Sequence, residues 1–446
     1  MKGHLMTLTY LLTGGTTPDG VQTDVGIDAH GTIAHLGPHR TADAAEVIDV
    51  SGKIVLPGLV DLHTHLREPG NNDAETVETG SRAAARGGFT AVHAMANSNP
   101  VADTAGVVEQ VHRLGREAGW TDVYPVGAVT VGLAGERLAE LSAMHDSAAN
   151  VTMFSDDGMC VWDPVLMRRG LEYVKSFDGF IAQHAQEPRL TEGAQMNESA
   201  LSSELGLAGW PAVAEESIIA RDVLLAQHVD SRVHICHVST AGSVELIRWA
   251  KSQGIRVTAE VTPHHLLLTE DYVKTYDPLY KVNPPLRRDT DVHALRQGLA
   301  DGTIDTVGTD HAPHTDEKKQ CEWVVAAMGM TGLETALPVI QHTMVDTGLL
   351  DWHGVARVMS ANPASIYGHG EHGQLTQTGG LVEGASANIA VYDPNHRFVV
   401  NPVEHTSKSA NSPYRGMELA GQVSEVFYRG HRVVAAAHLT TPYQHS

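Results

Sequence analysis

The chain has 446 residues, 42% of them hydrophobic, which is two to three domain-lengths and enough to bury a large core. Its formal net charge of −22 argues against a nucleic-acid or anionic-membrane partner, since both need a positive footprint. Three cysteines, Cys160, Cys236 and Cys321, are too few and too scattered for a disulfide framework or a structural zinc site, so reduced thiols are expected.

No apolar run reaches the roughly 18 residues of a membrane span. The first residues, Met1 to Met6, lead into short strand-like pieces rather than an apolar leader with a small-residue cleavage site, so a cytoplasmic location is expected, with Met6 an alternative start. Up to residue 57 the apolar pieces are short (Thr7 to Leu12, Val25 to Ile27, Thr32 to Leu36, Val47 to Val50) and punctuated by Gly, Asp and Pro, a pattern of small antiparallel strands.

From Ile54 the rhythm becomes strand, loop, helix. Eight candidate strands follow: Ile54 to Leu66, Phe89 to Asn97, Asp122 to Thr130, Asn150 to Asp157, Gly179 to Gln186, Arg232 to Ser239, Arg256 to His265 and Thr303 to His311. Helices fill the gaps, among them Thr76 to Arg86, closed by Gly87-Gly88, and Val213 to Gln227, with a core face of Val213, Ile218, Ile219, Val223 and Leu224. Further helices are expected over Leu333 to Thr347 and Trp352 to Ser360, ending near Asn362-Pro363. The short-strand pattern returns in Asn388 to Tyr392, Glu425 to Tyr428 and Arg432 to Ala435. The fold class predicted is α/β: a (β/α)8 TIM barrel over 58–376, with 1–57 and 377–446 pairing as one small β-sandwich domain.

In such a barrel the chemistry sits at the carboxyl ends of the strands, so the strand ends give the contents of one pocket. The first ends in Asp61-Leu62-His63-Thr64-His65-Leu66-Arg67. Alternate side chains share a strand face, which puts the Cβ atoms of His63 and His65 roughly 7 Å apart on one side. An isolated His-x-His pair can equally be two half-exposed histidines; the remaining strand ends shift the balance.

They supply Asn97, the adjacent acids Asp156 and Asp157, His184, His234 and His237, His264 and His265, and Asp310 with His311 and His314. Imidazole and carboxylate together suit zinc or a similar borderline ion, and one shared carboxylate can bridge two ions. Spacing puts His234 and His237 on opposite faces, so one of them is structural. Asp156 is expected to turn outward and cap the next turn, His264 and His265 to be structural or supporting, and Cys236 to be a packing residue. Arg67, two residues past the histidine pair, is placed to fork onto a substrate carboxylate.

The stretches Asp61 to Gly70 and Gly308-Thr309-Asp310-His311-Ala312-Pro313-His314 resemble the two signatures of dihydroorotase, in the amidohydrolase superfamily. Cys236 to Thr240, Val261 to Leu266, Tyr280 to Arg287 and Gly332 to Thr335 add to the likeness, which runs almost end to end and is closest in spacing to the long bacterial, class I type. The resemblance implies reversible, zinc-dependent cyclisation of N-carbamoyl-L-aspartate to L-dihydroorotate in de novo pyrimidine biosynthesis. It implies one zinc on His63, His65 and Asp310, a second on His184 and His237, Asp157 as the bridge, a zinc-activated water as nucleophile, and Asp310 as general acid and base. His65, Arg67, Asn97, Asn283, His314 and the backbone at Met328 and Gly329 would hold the substrate, under a mobile loop from Thr315 to Trp323. A homo-oligomer and an aspartate transcarbamoylase partner also follow from the resemblance.

Many relatives bridge the metals with a carbamylated lysine. The strand Val151 to Asp157 contains no lysine, so it is similar to the subgroup with an aspartate there, and no carbamylation is expected. Residues Met95 to Pro100 also depart from the family pattern: no proline precedes Asn97, and Asn99 stands where some bacterial relatives have a basic residue. Other cyclic amidases, such as dihydropyrimidinase, hydantoinase or allantoinase, would carry the lysine and need no arginine for a substrate carboxylate. A non-catalytic scaffold for the transcarbamoylase would have lost ligands, and all six positions are filled. The substrate carries two carboxylates, so Arg67 and the metals must overcome the overall negative field.

Overall fold

The structure is a computed structural model describing residues 8–38, 44–368, 377 and 379–445. Met6 and the expected boundary residue 376 lie outside the described residues. The N-terminal strands are β1 (Leu8–Thr16), β2 (Gln22–Asp28), β3 (Ile33–Leu36), β4 (Ala44–Asp49) and β5 (Ile54–Pro57). After Gly58, strand β6 (Leu59–Thr64) opens a second pattern of parallel strands: β7 (Phe89–Ala94), β8 (Asp122–Pro125), β9 (Met153–Phe154) and β10 (Phe180–Gln183). A short parallel pair, β11 (Met196–Asn197) and β12 (Gly209–Trp210), interrupts it before β13 (Val233–Ile235), β14 (Val257–Val261) and β15 (Thr306–Val307). The chain ends in β16 (Ile389–Val399), β17 (Glu418–Tyr428), β18 (His431–Ala435) and β19 (His438–Leu439).

Both chain ends share one nine-stranded sheet, in the order β19-β18-β17-β16-β5-β1-β2-β3 with β4 also on β1. The junction is β5 against β16, with Val55 opposite Val391. Not all of it is antiparallel as expected: β1 runs parallel to β4, Leu11 opposite Val47. Its apolar positions, including Leu12, Val25, Ile27, Ile33, Val55, Ile389 and Phe427, form a core of their own.

The run Ile54 to Leu66, expected as one strand, is two. Gly58 separates β5, in the terminal sheet, from β6; a Cβ there would lie 2.2 Å from the Thr90 hydroxyl oxygen, so only glycine lets the chain pass. The strands β6, β7 and β8 form one parallel sheet, and β9, β10, β13, β14 and β15 another. Isolated parallel bridges join their edges on both sides, Gly127 to Phe154 and Thr64 to His311. Every residue of β6, β7, β10 and β13 is buried, as parallel strands covered by helices must be.

The parallel strands are shorter than the sequence suggests because their last residues leave the ladder. Helix Val77–Arg86 starts where the Thr76 hydroxyl accepts from the Thr79 N–H. Helix Val213–Val229 packs between helices Pro164–Lys175 and Ala241–Ser252 on Ile218, Ile219 and Val223, but Val213 and Leu224, expected in its core face, are half exposed. The expected stop at Asn362-Pro363 is absent. A π-helical turn, Arg357–Ala361, passes into helix Asn362–Tyr367, where Pro363 sits in the first turn and its missing N–H is no loss. Among the described residues no helix is long and apolar enough to cross a membrane.

Candidate active site

Each candidate ligand lies at, or just past, the carboxyl end of a parallel strand: His63 in β6, Asp157 beyond β9, His184 beyond β10, His237 beyond β13 and Asp310 beyond β15. They converge although up to 247 positions separate them in the chain. Asp157 Oδ1 lies 3.3 Å from His63 Nε2, 3.3 Å from His184 Nδ1 and 3.2 Å from His237 Nε2, and Asp157 Oδ2 lies 3.2 Å from His65 Nε2. Asp310 Oδ1 is 3.0 Å from His65 Nε2 and 3.5 Å from His63 Nε2. Two triads of donor atoms result, His63, His65 and Asp157, and Asp157, His184 and His237, with Asp157 in both.

Outer hydrogen bonds decide which ring nitrogens face inward. His63 Nδ1–H donates to Glu260 Oε1 (2.5 Å), His65 Nδ1–H to Asn97 Oδ1 (2.9 Å) and His184 Nε2–H to Gln186 Oε1 (2.8 Å). The opposite nitrogen of each ring faces the centre, and in the neutral imidazole it carries the lone pair a metal ligand needs. His63 Nε2 is buried and without a hydrogen bond, and His184 Nδ1 approaches His237 Nε2 to 2.8 Å.

The electrostatics point the same way. Burial would raise the Asp157 carboxyl, yet the His63, His184 and His237 imidazoles hold it well below the usual carboxylate range. Asp310 is likewise lowered against burial, by His65 and then His63. His63 is raised well above its ordinary value: burial opposes protonation, but the charges of Asp157 and Glu260 outweigh it. Such a site favours positive charge among its imidazoles, and their donor chemistry fits a divalent ion of the zinc type.

Backbone strain gathers here. His237, Arg67 and Asp310 have φ of 29°, 63° and 47°, in the left-handed region that only a few per cent of non-glycine residues occupy. Asp61, whose carboxyl burial pushes up to about 7, ties the first parallel strand to the last: Oδ1 accepts from the N–H groups of His63 (3.0 Å) and Thr309 (3.1 Å), and Oδ2 from the Thr309 hydroxyl (2.5 Å).

The half-buried Arg67 donates Nε–H to the Pro313 carbonyl (3.1 Å), with its guanidinium beside His314. His314 Nε2–H donates to the Met328 carbonyl (2.8 Å), and burial, then Arg67, pushes the imidazole down to about 3. Asn283 donates Nδ2–H to Gln186 Oε1 (3.1 Å), while its buried Oδ1 has no partner. Gly329 donates its N–H to the Lys281 carbonyl (3.0 Å), and its carbonyl accepts from Lys319 Nζ (3.0 Å) and Asn411 Nδ2 (3.2 Å). The buried Lys319, in the segment expected as a mobile loop, also donates to the carbonyls of Lys281 (3.2 Å) and Ala327 (2.9 Å) and so ties that segment to the wall.

Of the paired candidates, His237 faces the site, whereas His234 lies on Thr258 and Glu260. Asp156 does not turn outward. It is buried and accepts from the N–H groups of Val129 (2.8 Å) and Thr130 (3.0 Å), holding the preceding strand's exit. His264 and His265 are on the short helix Pro263–Leu267, since β14 stops at Val261; His265 bonds Thr262 and the Pro284 carbonyl. Cys236 is buried in an apolar cluster, and burial raises its thiol. The sequence reading gave no role to Glu260, Gln186 or Asp61. Glu260 had a signal: it is a lone acid within Val257-Thr258-Ala259-Glu260-Val261, a run otherwise bound for the interior.

The sequence profile of a family described as dihydro-orotase-like matches residues 52–243. Dihydroorotase of Streptomyces coelicolor is 64% identical over 432 residues, 96% of this chain and 99% of that protein. The chain belongs to the dihydroorotase family. Dihydroorotase of Mycobacterium tuberculosis, 54% identical, covers 92% of the chain and 95% of its own length. Among solved structures, L-hydantoinase from Arthrobacter aurescens superposes with a TM-score of 0.86 at 26% identity, covering 98% of both chains. Dihydropyrimidinase from Brevibacillus agri gives 0.84 at 24% identity, covering 98% of this chain and 97% of its own, which establishes a common fold. This member of the dihydroorotase family is a cyclic amide hydrolase with a His/Asp site suited to a metal.

Proposed function

We propose that this site interconverts N-carbamoyl-L-aspartate and L-dihydroorotate with the help of zinc, one or two ions, which His63, His65, Asp157, His184, His237 and Asp310 would hold, Asp157 being the shared ligand if there are two. The observation that carries the reading is the pair of triads meeting at Asp157, with Arg67 beside them. Bound zinc would supply Lewis acidity toward the ring amide carbonyl and bring a water's pKa near 7.

The chain's own residues do the rest. Asp310, held ionised at neutral pH, accepts the proton of the attacking water and returns it to the departing amide nitrogen; cyclisation reverses the transfers. Arg67 forks onto the substrate's free carboxylate. Asn97, fixed through His65, lies beside it. The unpartnered Asn283 Oδ1 accepts from a ring N–H. His314 donates Nε2–H to the Met328 carbonyl and, as a neutral imidazole beside Arg67, shapes the carboxylate pocket. Met328 and Gly329 contribute the backbone wall behind the substrate.

The same reading takes the eight parallel strands as a closed (β/α)8 barrel over 58–376, supported by the two bridging pairs, and the terminal sheet as a β-sandwich domain of 1–57 and 377–446. It includes a role in de novo pyrimidine biosynthesis, a homo-oligomer, an aspartate transcarbamoylase partner and a cytoplasmic location. The test is metal content measured alongside hydrolysis of L-dihydroorotate, before and after chelation. Activity lost with zinc and restored by it is expected; full turnover by metal-free protein overturns the reading.

A further inference from the structure

At the amino end of β8, away from the strand ends that carry the ligands, a polar cavity of about 290 Å³ opens between helix Ala105–Ala118, the first residues of β8 and the chain's C-terminal segment. Its lining brings together Arg116, Arg429, His112, His445, Thr121 and Asp122. Arg116 and Arg429 are its permanent cations, Arg429 paired with Asp122, while burial lowers the imidazoles of His112 and His445 and leaves them as neutral hydrogen-bonding groups. An outer groove continues from it, sharing His112, Arg116 and His445 and extending past Tyr443 and Gln444.

The acids nearby are already engaged. Asp122 Oδ1 accepts from the Tyr428 hydroxyl (2.6 Å) and from Arg429 Nη2 (2.9 Å). Glu117 pairs with Arg113 (2.6 Å), and Glu109 accepts from the Ala148 N–H (3.1 Å). Arg116 is exposed and forms no ion pair among the described residues. Two polar atoms in the lining are buried with no partner, Thr121 Oγ1 and His112 Nδ1. Thr121 is fully buried, and an unpaired hydroxyl there is costly unless something completes it.

We propose that this cleft binds a phosphomonoester, at a site separate from the active site. Two guanidinium groups, a hydroxyl and an imidazole outnumber what one carboxylate can accept and suit the three terminal oxygens of a phosphate. The inner cavity takes the phosphate, and the groove past Tyr443 takes the esterified group. Thr121 and His112 then gain the partners they lack.

Calorimetry on the zinc-loaded full chain tests this with inorganic phosphate and ribose 5-phosphate as probes, on wild type, Arg116→Gln and Thr121→Val. Ribose 5-phosphate is expected to bind more tightly than inorganic phosphate. Arg116→Gln should weaken it at least tenfold and Thr121→Val several-fold, both with unchanged hydrolysis of L-dihydroorotate in phosphate-free buffer. Arg116 is exposed and Thr121→Val keeps the side chain's shape, so both variants should fold; a thermal melt matching wild type checks this. No binding to wild type, equal binding to wild type and Arg116→Gln, or binding lost on removing zinc instead overturns the proposal. Equal affinity for the two probes overturns the monoester assignment.

Discussion

Glu260 accepts the Nδ1–H of His63 at 2.5 Å with both side chains wholly buried, and this one bond fixes which nitrogen of His63 faces the site. The carboxylate also takes the His237 N–H (3.2 Å) and faces His234 Nε2 (3.3 Å), so it orients two ligand-bearing segments at once. Glu260→Gln should reduce metal affinity roughly 10- to 100-fold, the usual cost of losing a ligand's orienting partner. Competition with a chelator measures it, and unchanged affinity would remove Glu260 from that role.

Asp310 sits within 3.5 Å of both His63 and His65, on a backbone with φ of 47°. Asp310→Ala should keep the fold, read by circular dichroism and melting temperature, while kcat falls by roughly 10²- to 10⁴-fold. Near-normal turnover would assign the proton transfer elsewhere.

Arg67 has one guanidinium N–H on Pro313, which leaves the rest of the fork for a carboxylate. Arg67→Lys keeps the charge and loses the fork, so KM for L-dihydroorotate should rise about tenfold or more with a smaller change in kcat. An unchanged KM would rule the contact out.

Glu334 gives a pH signature away from the chemistry. Burial raises its carboxyl to about 7, against Arg86 and the N–H groups of Ser407 and Thr406. An acid raised on folding holds its proton longer in the folded state, so stability falls as pH rises from the unfolded value near 4.5 through about 7. Glu334→Gln removes that dependence. The variant should match wild type at pH 5 and exceed it by about 2 kcal/mol at pH 8, as denaturant unfolding at the two pH values would measure. A constant difference at both would contradict the shift.

Much of the site is legible in the chain because strand chemistry is local. His63 and His65 share a face through the two-residue period, and an acid or histidine closing an apolar run marks where a parallel strand ends. Those rules bring His184, one of His234 and His237, one of Asp156 and Asp157, and Asp310 to the strand ends; the choice within each pair comes from the family resemblance. They fail where the deciding neighbour is distant. The chain offers Asp156 as an outward turn cap, but Thr130, 26 positions earlier, receives it in the interior. It offers Ile54 to Leu66 as one strand, but the Thr90 side chain against Gly58 splits it between two sheets.

The amino-acid order alone therefore determined the alternation of strands and helices and the residue types gathered at the strand ends, since these depend on periodicity and on side chains a few positions apart; the shared short-strand pattern at both ends pointed to their pairing in one sheet, which contacts such as Val55 opposite Val391 make. Tertiary structure alone decided which nitrogen of each histidine faces inward and that Glu260, Gln186 and Asp61 hydrogen-bond His63, His184 and the His63 backbone. Those properties depend on hydrogen bonds and charges across distances of a few ångströms between segments that can be more than a hundred residues apart, and no local pattern in a sequence specifies such distances.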